Sequence, residues 1–333
     1  MPADRQYTFI QRLAIVDKNG NKQYILPDSV ISADITEHSN MNGTLLILKL
    51  NDPATEYRDN LKVKFGAILE VTYGCVINKN DDLVIDSFFI MPSQSENGTL
   101  TIEAIQVDCY KLKKPAQRPQ FFVEQSPASI LKQLIKNKPI VVDCPNGIGT
   151  YHLNVGGNAS RLIRTMARDY GCLAYYSRGT FYFVSIKSAM DKKSNIILEN
   201  GNANAKYPIL NYKIHDSLFM FDSMLKRKFI RWSTTAGMEE STNSHDNGTV
   251  IITAANKPAL TNQGRTIIPT ATVDTAGYGG FKSGLSCQLV LRVNQAEKEL
   301  DETLKERQLI DSVTHHVKGN QYICRLKLGV CDE

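Results

Sequence analysis

Three times the chain writes Asn-Gly-Thr and then runs straight into apolar residues. Asn42-Gly43-Thr44 leads into Leu45-Leu46-Ile47-Leu48, and Asn97-Gly98-Thr99 leads into Leu100-Thr101-Ile102-Glu103-Ala104. The third copy, Asn247-Gly248-Thr249, leads into Val250-Ile251-Ile252. Asn-Gly is the pair that most readily takes two consecutive positive-φ positions, which a type I′ hairpin turn demands. The β-branched Thr that follows starts a return strand well. Two copies lie in the first third and one in the last third, so the pattern predicts hairpin-built β domains at both ends.

A chain of 333 residues exceeds one small core and predicts two or three domains. Its 42% hydrophobic and 22% charged content is ordinary for a globular protein. No run of about 18 uninterrupted apolar residues occurs, so no membrane span is implied. Met1-Pro2-Ala3-Asp4-Arg5 has no apolar stretch behind it and does not resemble a secretory signal. The expectation is a protein made and kept in a cytoplasm, or leaving it without a signal peptide. The net charge of +5 permits an acidic partner without arguing for nucleic acid. Seven cysteines, Cys75, Cys109, Cys144, Cys172, Cys287, Cys324 and Cys331, form no CxxC pair. Their odd number and scatter argue against a disulfide framework or zinc ribbon, and most of them read as small buried hydrophobes.

Strand follows strand through residues 1–112, with a turn at Lys18-Asn19-Gly20-Asn21, which suggests a sandwich or small barrel. Leu45-Leu46-Ile47-Leu48 is apolar throughout and reads as buried on both faces. The basic segment 111–119, with Pro115 and Pro119, reads as a linker at a domain boundary. Within 113–200 the period changes. Ser126 and Pro127 open a helix burying Ile130, Leu131, Leu134 and Ile135, and Ile140-Val141-Val142 is a short strand. A second helix runs from near Asn158 to a Gly171 cap, and a hairpin turns at Arg178-Gly179. The β pattern returns over 201–333, where 233–246 and 254–282 read as long exposed loops. Val293, Ala296, Leu300 and Leu304 predict a charged helix. The last element is a hairpin about Lys318-Gly319-Asn320, with Tyr322, Cys324, Leu326, Leu328 and Val330 facing inward.

Chemistry-bearing residues form no constellation. His38, His152, His215, His245 and the pair His315-His316 have no HxH or HExxH spacing. On a strand, His315 and His316 point to opposite faces and cannot chelate one ion together. No GxSxG elbow, Walker loop or Rossmann fingerprint occurs, and Gly147-Ile148-Gly149 reads as a loop. Val155-Gly156-Gly157-Asn158 opens a helix whose N–H groups could hold an anion with Arg161 and Arg164, although ordinary capping explains these residues equally. Asp81-Asp82 and Glu239-Glu240 read as solvated loop carboxylates rather than a hydrolase pair. The cluster Lys226-Arg227-Lys228-Phe229-Ile230-Arg231-Trp232 combines charge with stacking faces, as a nucleic-acid binder would. The same composition suits a protein–protein seam, the preferred reading. No catalytic, cofactor-binding or metal-ligating residue is assigned, and no cofactor is expected.

In order, the layout resembles the baseplate hub proteins of contractile-tailed phages, a family similar to late control protein D and the hub part of type VI secretion spikes. Three places carry the likeness. Val30-Ile31-Ser32-Ala33-Asp34-Ile35-Thr36-Glu37, the first Asn-Gly-Thr hairpin and Phe65-Gly66-Ala67-Ile68-Leu69-Glu70-Val71-Thr72-Tyr73 are similar to the hub's first barrel. Residues 126–135 with 159–184 look like its helix, helix and hairpin insertion. Leu309-Ile310-Asp311-Ser312-Val313-Thr314-His315 with Gly319-Asn320-Gln321-Tyr322 and Leu326-Lys327-Leu328 resembles its closing hairpin. The family carries a further strand before that hairpin, where 294–307 here reads as a helix, so closure of the second barrel departs from the pattern.

The resemblance implies a mainly β, α+β chain: two hairpin-built β-barrel domains, 1–112 and 201–333, with a small α/β insertion at 113–200. It implies a non-enzymatic homotrimer whose six barrels form a ring between a sixfold tail tube and a threefold spike. Implied partners are the tail spike, a tube or tube-initiator protein and the tape-measure protein, with viral DNA only in transit and no stable membrane insertion. The implied place is the virion's tail baseplate, assembled in the host cytoplasm. The alternatives are a tail-associated cell-wall hydrolase and a nucleic-acid-binding β-barrel protein.

Overall fold

Antiparallel hairpins build the first part of the chain in a computed structural model that describes residues 8–74, 83–202, 204–215, 227–241, 248–254, 256–294, 299–300 and 304–331. Its strands are β1 (Ile10–Val16), β2 (Lys22–Tyr24), β3 (Val30–His38), β4 (Leu45–Asn51), β5 (Ile68–Tyr73), β6 (Val84–Glu96) and β7 (Thr99–Gln106). They are hydrogen-bonded in the order β3-β4-β7-β6-β5-β1-β2. Period-2 alternation sends Leu46, Leu48 and Leu50 of β4 and Leu69, Val71 and Tyr73 of β5 into the core. Leu45 and Ile47 are exposed, which corrects the expectation that this run is buried on both faces. An antiparallel sheet can leave one face to solvent.

The three Asn-Gly-Thr triplets behave differently. Asn97 (φ +50) and Gly98 (φ +75) make the expected two-residue turn between β6 and β7. Residues 39–44 instead form a longer loop, with only Gly43 of the pair at positive φ. There Asn42 N–H donates to Asn40 Oδ1 at 2.9 Å and Met41 is buried. The third triplet opens β17 (Thr249–Ile251), but β17 runs parallel to β15 (Lys228–Ser233), with β16 (Gly237–Glu240) on the other side. It therefore returns along no preceding hairpin, and Asn247 lies outside the described residues.

The expected linker is partly helical: α1 (Val107–Lys113) buries Cys109 and Leu112, and Pro115 follows its end. The insertion holds β8 (Gln120–Gln125), α2 (Pro127–Leu134), β9 (Ile140–Asp143), β10 (Gly149–Leu153), α3 (Ala159–Tyr170), β11 (Cys172–Ser177), β12 (Thr180–Ser185) and α4 (Ile186–Asp191). Ser126 caps α2 and Asn158 caps α3, whose end is closed by Gly171 at φ +61. Helix α3 buries Leu162, Ile163 and Met166 against a cluster that also takes Cys109, Leu112 and Met41 from the first unit's side.

The last unit closes. Strands β13 (Ile197–Glu199), β14 (Tyr207–Ile214), β18 (Ile267–Ala276), β19 (Ser286–Val290), β22 (Arg307–Lys318) and β23 (Gln321–Cys331) form a ring in which β22 pairs back to β19. The expected long loop at 254–282 contains α5 (Lys257–Asn262) and the ten-residue β18. Its inward residues Ala271, Val273 and Thr275 are small, and Pro269 sits at a register shift where a ladder tolerates it. The expected charged helix is also corrected: β20 (Arg292–Asn294) pairs antiparallel with β21 (Glu299–Leu300). Reciprocal hydrogen bonds between Asn200 and the Arg292 backbone, and an Arg292–Glu199 ion pair, tie β20 to the end of β13. Tertiary pairing thereby overrides the helical period. Residues 295–298 and 301–303 of that expected helix lie outside the described residues.

Strand β22 belongs to both β units. Its Arg307–Leu309 end pairs with β19, and Ser312 to Val317 pair with β3 of the first unit. One continuous thirteen-stranded sheet results, over one core that joins Leu46, Leu69 and Phe88 to Val313, Leu326 and Leu328. Gly43 marks where the first unit meets α1, because a Cβ there would stand 2.7 Å from Cys109 Cβ and Sγ. Gly20, at φ +85, has open space around it. Gly20→Ala is expected to cost about 1–2 kcal/mol from backbone conformation alone. Gly43→Ala is expected to cost about 1–3 kcal/mol more from overpacking, read as the difference in urea-unfolding free energies.

Candidate functional site

A set of buried polar side chains lies where all three units meet. The β11–β12 turn is type I′, with Arg178 at φ +48 and Gly179 at φ +81. That turn sends the Arg178 side chain inward between the β units, where it is buried. Its Nε donates to Glu37 Oε1 of β3 at 3.1 Å, and its Nη2 donates to the Phe281 carbonyl at 2.8 Å. Ser177 Oγ donates to the other Glu37 oxygen at 3.0 Å. The guanidinium lies over the Phe9 ring at 5.6 Å, and His315 of β22 stacks on that ring with centroids 3.7 Å apart. His315 Nδ1 is 2.7 Å from Tyr322 Oη and 3.4 Å from Cys324 Sγ, both on β23. Arg178 Nη1 and His315 Nε2 are buried without a hydrogen-bond partner among the described residues.

A cysteine beside a histidine invites comparison with a nucleophilic pair, which needs a thiolate and an accessible sulfur. Here the physics runs the other way. Burial pushes the Cys324 thiol up to about 12. Burial first, then the Arg178 charge, holds His315 well below its ordinary pKa. Both side chains are fully buried. A neutral thiol and a neutral imidazole without solvent access carry no acyl-transfer chemistry, and the cluster is a structural node.

The remaining candidates are dispersed. His316 points to the opposite face from His315 and lies 2.5 Å from Asp34 Oδ1. His215 pairs with Thr272 Oγ1 at 2.8 Å, and burial lowers the pKa of His38. His152 is exposed. His245, Cys75 and Asp81-Asp82 lie outside the described residues. Among the described residues no group of three or more His, Cys, Asp or Glu side chains is placed to hold a metal, and no helix is long and apolar enough to cross a membrane. Asn158 Oδ1 accepts from Arg161 N–H at 2.8 Å as a cap, with Arg161 and Arg164 on the exposed face of α3.

Residues 228–232 of the basic-aromatic segment lie on β15; Arg227 precedes the strand, and Lys226 lies outside the described residues. Glu239 and Glu240, expected in a loop, belong to β16 and neutralise it: Arg231 pairs with Glu239 at 2.5 Å and Lys228 with Glu240 at 2.5 Å. On the strand face left open, Trp232 is opposite Met238 in register. Trp232 is 72% exposed and Met238 64%. An apolar pair flanked by satisfied charges matches an interface anchor better than a phosphate-binding track.

With no family model and no curated protein sequence matching the chain, solved structures carry the comparison. A tail protein from Neisseria meningitidis MC58 superposes with a TM-score of 0.65 at 11% identity, covering 96% of both chains. The fold is that of phage tail proteins. The 43 kDa tail protein of prophage MuSo2 from Shewanella oneidensis gives 0.62 at 11% identity, covering 96% of this chain and 97% of the other. An E. coli component of the type VI secretion system, described as structurally similar to the T4 bacteriophage tail proteins gp27 and gp5, gives 0.51 at 8% identity. That match covers 90% of this chain and 73% of the other. The mainly β architecture expected from the sequence is present, with a closed six-stranded barrel in the last unit, and its fold is shared with tail proteins.

Truncation of the node separates pairing from packing. Arg178→Ala leaves the Glu37 carboxylate buried with the Ser177 hydroxyl but without its ion-pair partner, and is expected to cost about 3–5 kcal/mol in urea unfolding. The double change Glu37→Leu with Arg178→Met is expected to recover most of that loss. His315 supplies a pH signature. Its folded pKa is depressed, so the unfolded state takes up a proton that the folded state refuses, and stability falls as pH drops below about 6.5. His315→Gln is expected to flatten that slope by at most about 1.4 kcal/mol per pH unit, measured by denaturation across a pH series. His38, shifted in the same direction, supplies part of the slope that remains.

Proposed function

We propose that the chain is a structural hub of a phage-type tail: a homotrimer whose paired barrels form a ring joining a sixfold tube to a threefold spike. The carrying observation is the end-to-end likeness to tail proteins, with 96% of both chains covered in the first comparison. The shared strand β22 supports it physically, because two β units locked by one ladder move as one body, as an adaptor requires. The Trp232–Met238 pair is the kind of exposed apolar anchor that a subunit seam would cover. On this reading the partners are the tail spike, a tube or tube-initiator protein and the tape-measure protein. Viral DNA passes through without being held, and the subunits assemble in the host cytoplasm before joining the virion.

The role is architectural rather than enzymatic. Against a cell-wall hydrolase stand the inaccessible Cys324–His315 pair and the commitment of Glu239 and Glu240 to ion pairs. Against a nucleic-acid binder stands the neutralisation of Lys228 and Arg231 by those same carboxylates. Light scattering of the purified chain, alone and co-expressed with a spike protein, tests the proposal. The expected result is three times the monomer mass, either alone or on meeting the spike. A lone monomer under both conditions overturns the ring.

A further inference from the structure

Between α3 and the second barrel the surface opens into a cleft of about 980 Å³. Its charge is one-sided: among the described residues Lys113, Arg161, Arg164, Arg168 and Arg265 line it against one carboxylate, Asp311. Asp311 is already engaged, accepting from Ser39 Oγ at 2.6 Å. Arg161, Arg164 and Arg168 follow at i, i+3 and i+7 on one exposed face of α3, a row of about 10 Å. None of the three has an ion-pair partner among the described residues. Lys113 Nζ is held by the Met41 carbonyl at 3.0 Å, and Arg265 by Asn262 Oδ1 at 3.1 Å. These two cations are thus fixed by neutral acceptors, which leave their charge uncompensated.

The rest of the lining selects among polyanions. Met41, Leu173 and Ile186, each largely buried, and the half-buried Ile267 add apolar atoms to the lining. Among the described residues no aromatic side chain lines the cleft, so they offer no stacking platform of the kind single-stranded nucleic acid needs. A lone inorganic anion would occupy a small fraction of the space. We propose that the cleft receives an extended segment of a partner protein in which carboxylates alternate with apolar side chains. Only the naming of that partner as another tail protein rests on the hub reading; the charge and lining of the cleft do not.

Fluorescence anisotropy with the full chain tests this. The probes are a labelled peptide of about eight residues alternating glutamate and leucine, about 3.3 Å per residue, and a single-stranded oligonucleotide of equal charge. The peptide is expected to bind, more weakly as salt rises. The triple variant Arg161→Glu, Arg164→Glu, Arg168→Glu is expected to lose affinity by about tenfold or more. A matched reversal outside the cleft, Lys132→Glu, Lys136→Glu, Lys193→Glu, is expected to keep it. All six positions are exposed, and thermal unfolding of each variant checks folding. No peptide binding, equal binding by both triple variants, or tighter binding of the oligonucleotide than of the peptide overturns the proposal. None of these outcomes bears on the mass measurement that tests the ring.

Discussion

The ion pair between Glu37 and Arg178 is the constraint on which the arrangement of units depends. Removing two charges from water costs several kcal/mol per ion, and their attraction repays this only when geometry is good and the remaining polar atoms are served. Here Ser177 serves the second carboxylate oxygen and the Phe281 carbonyl serves the guanidinium. Each contributor comes from a different stretch of chain: β3, the insertion's hairpin turn, and the loop between β18 and β19. The pair is satisfied only when all three stand in one relation. An apolar plug of the same volume would contribute as much stability and much less discrimination between that relation and its neighbours.

Around this node the molecule divides its surface by chemistry. The buried side carries the perturbed groups, His315, Cys324, Tyr322 and Tyr73, all held neutral chiefly by burial. The outer side carries unspent features: the Trp232–Met238 pair and the basic row on α3. A catalyst shows the reverse, with perturbed groups opening into a cleft. The distribution agrees with a scaffold whose interior fixes shape and whose exterior meets partners.

Local chemistry was legible wherever it decided the structure. Ser126, Asn158 and Gly171 cap helices as their types predict, the Arg178-Gly179 turn is where the sequence placed it, and the closing hairpin alternates inward as read. What could not be read was set by partners distant in sequence. Arg178 at a hairpin tip looks solvated, and only the third dimension places Glu37 beside it. Residues 267–276 looked like a loop because Pro269, Ala271, Asp274 and Ala276 interrupt the strand signal of their Ile, Thr and Val neighbours, yet the small inward side chains suit the closed barrel. The run from Val293 had helical spacing, but Asn200 and Glu199 hold Arg292 in a strand. For the basic cleft, Arg161 and Arg164 were visible in sequence, whereas Lys113 and Arg265 reach it from other units.

The double membership of β22 has a consequence for the order of folding. Thr36 of β3 meets Thr314 of β22 across 278 positions of sequence. Until the last strands exist, β3 offers an unpaired edge, and edges of that kind recruit other strands. Closing so long a loop precedes any reward from the contacts it makes, so the step that completes both β units is slow and comes last. During synthesis the chain therefore passes through a stage in which its first sheet is formed, sticky and waiting for its own C-terminal hairpin.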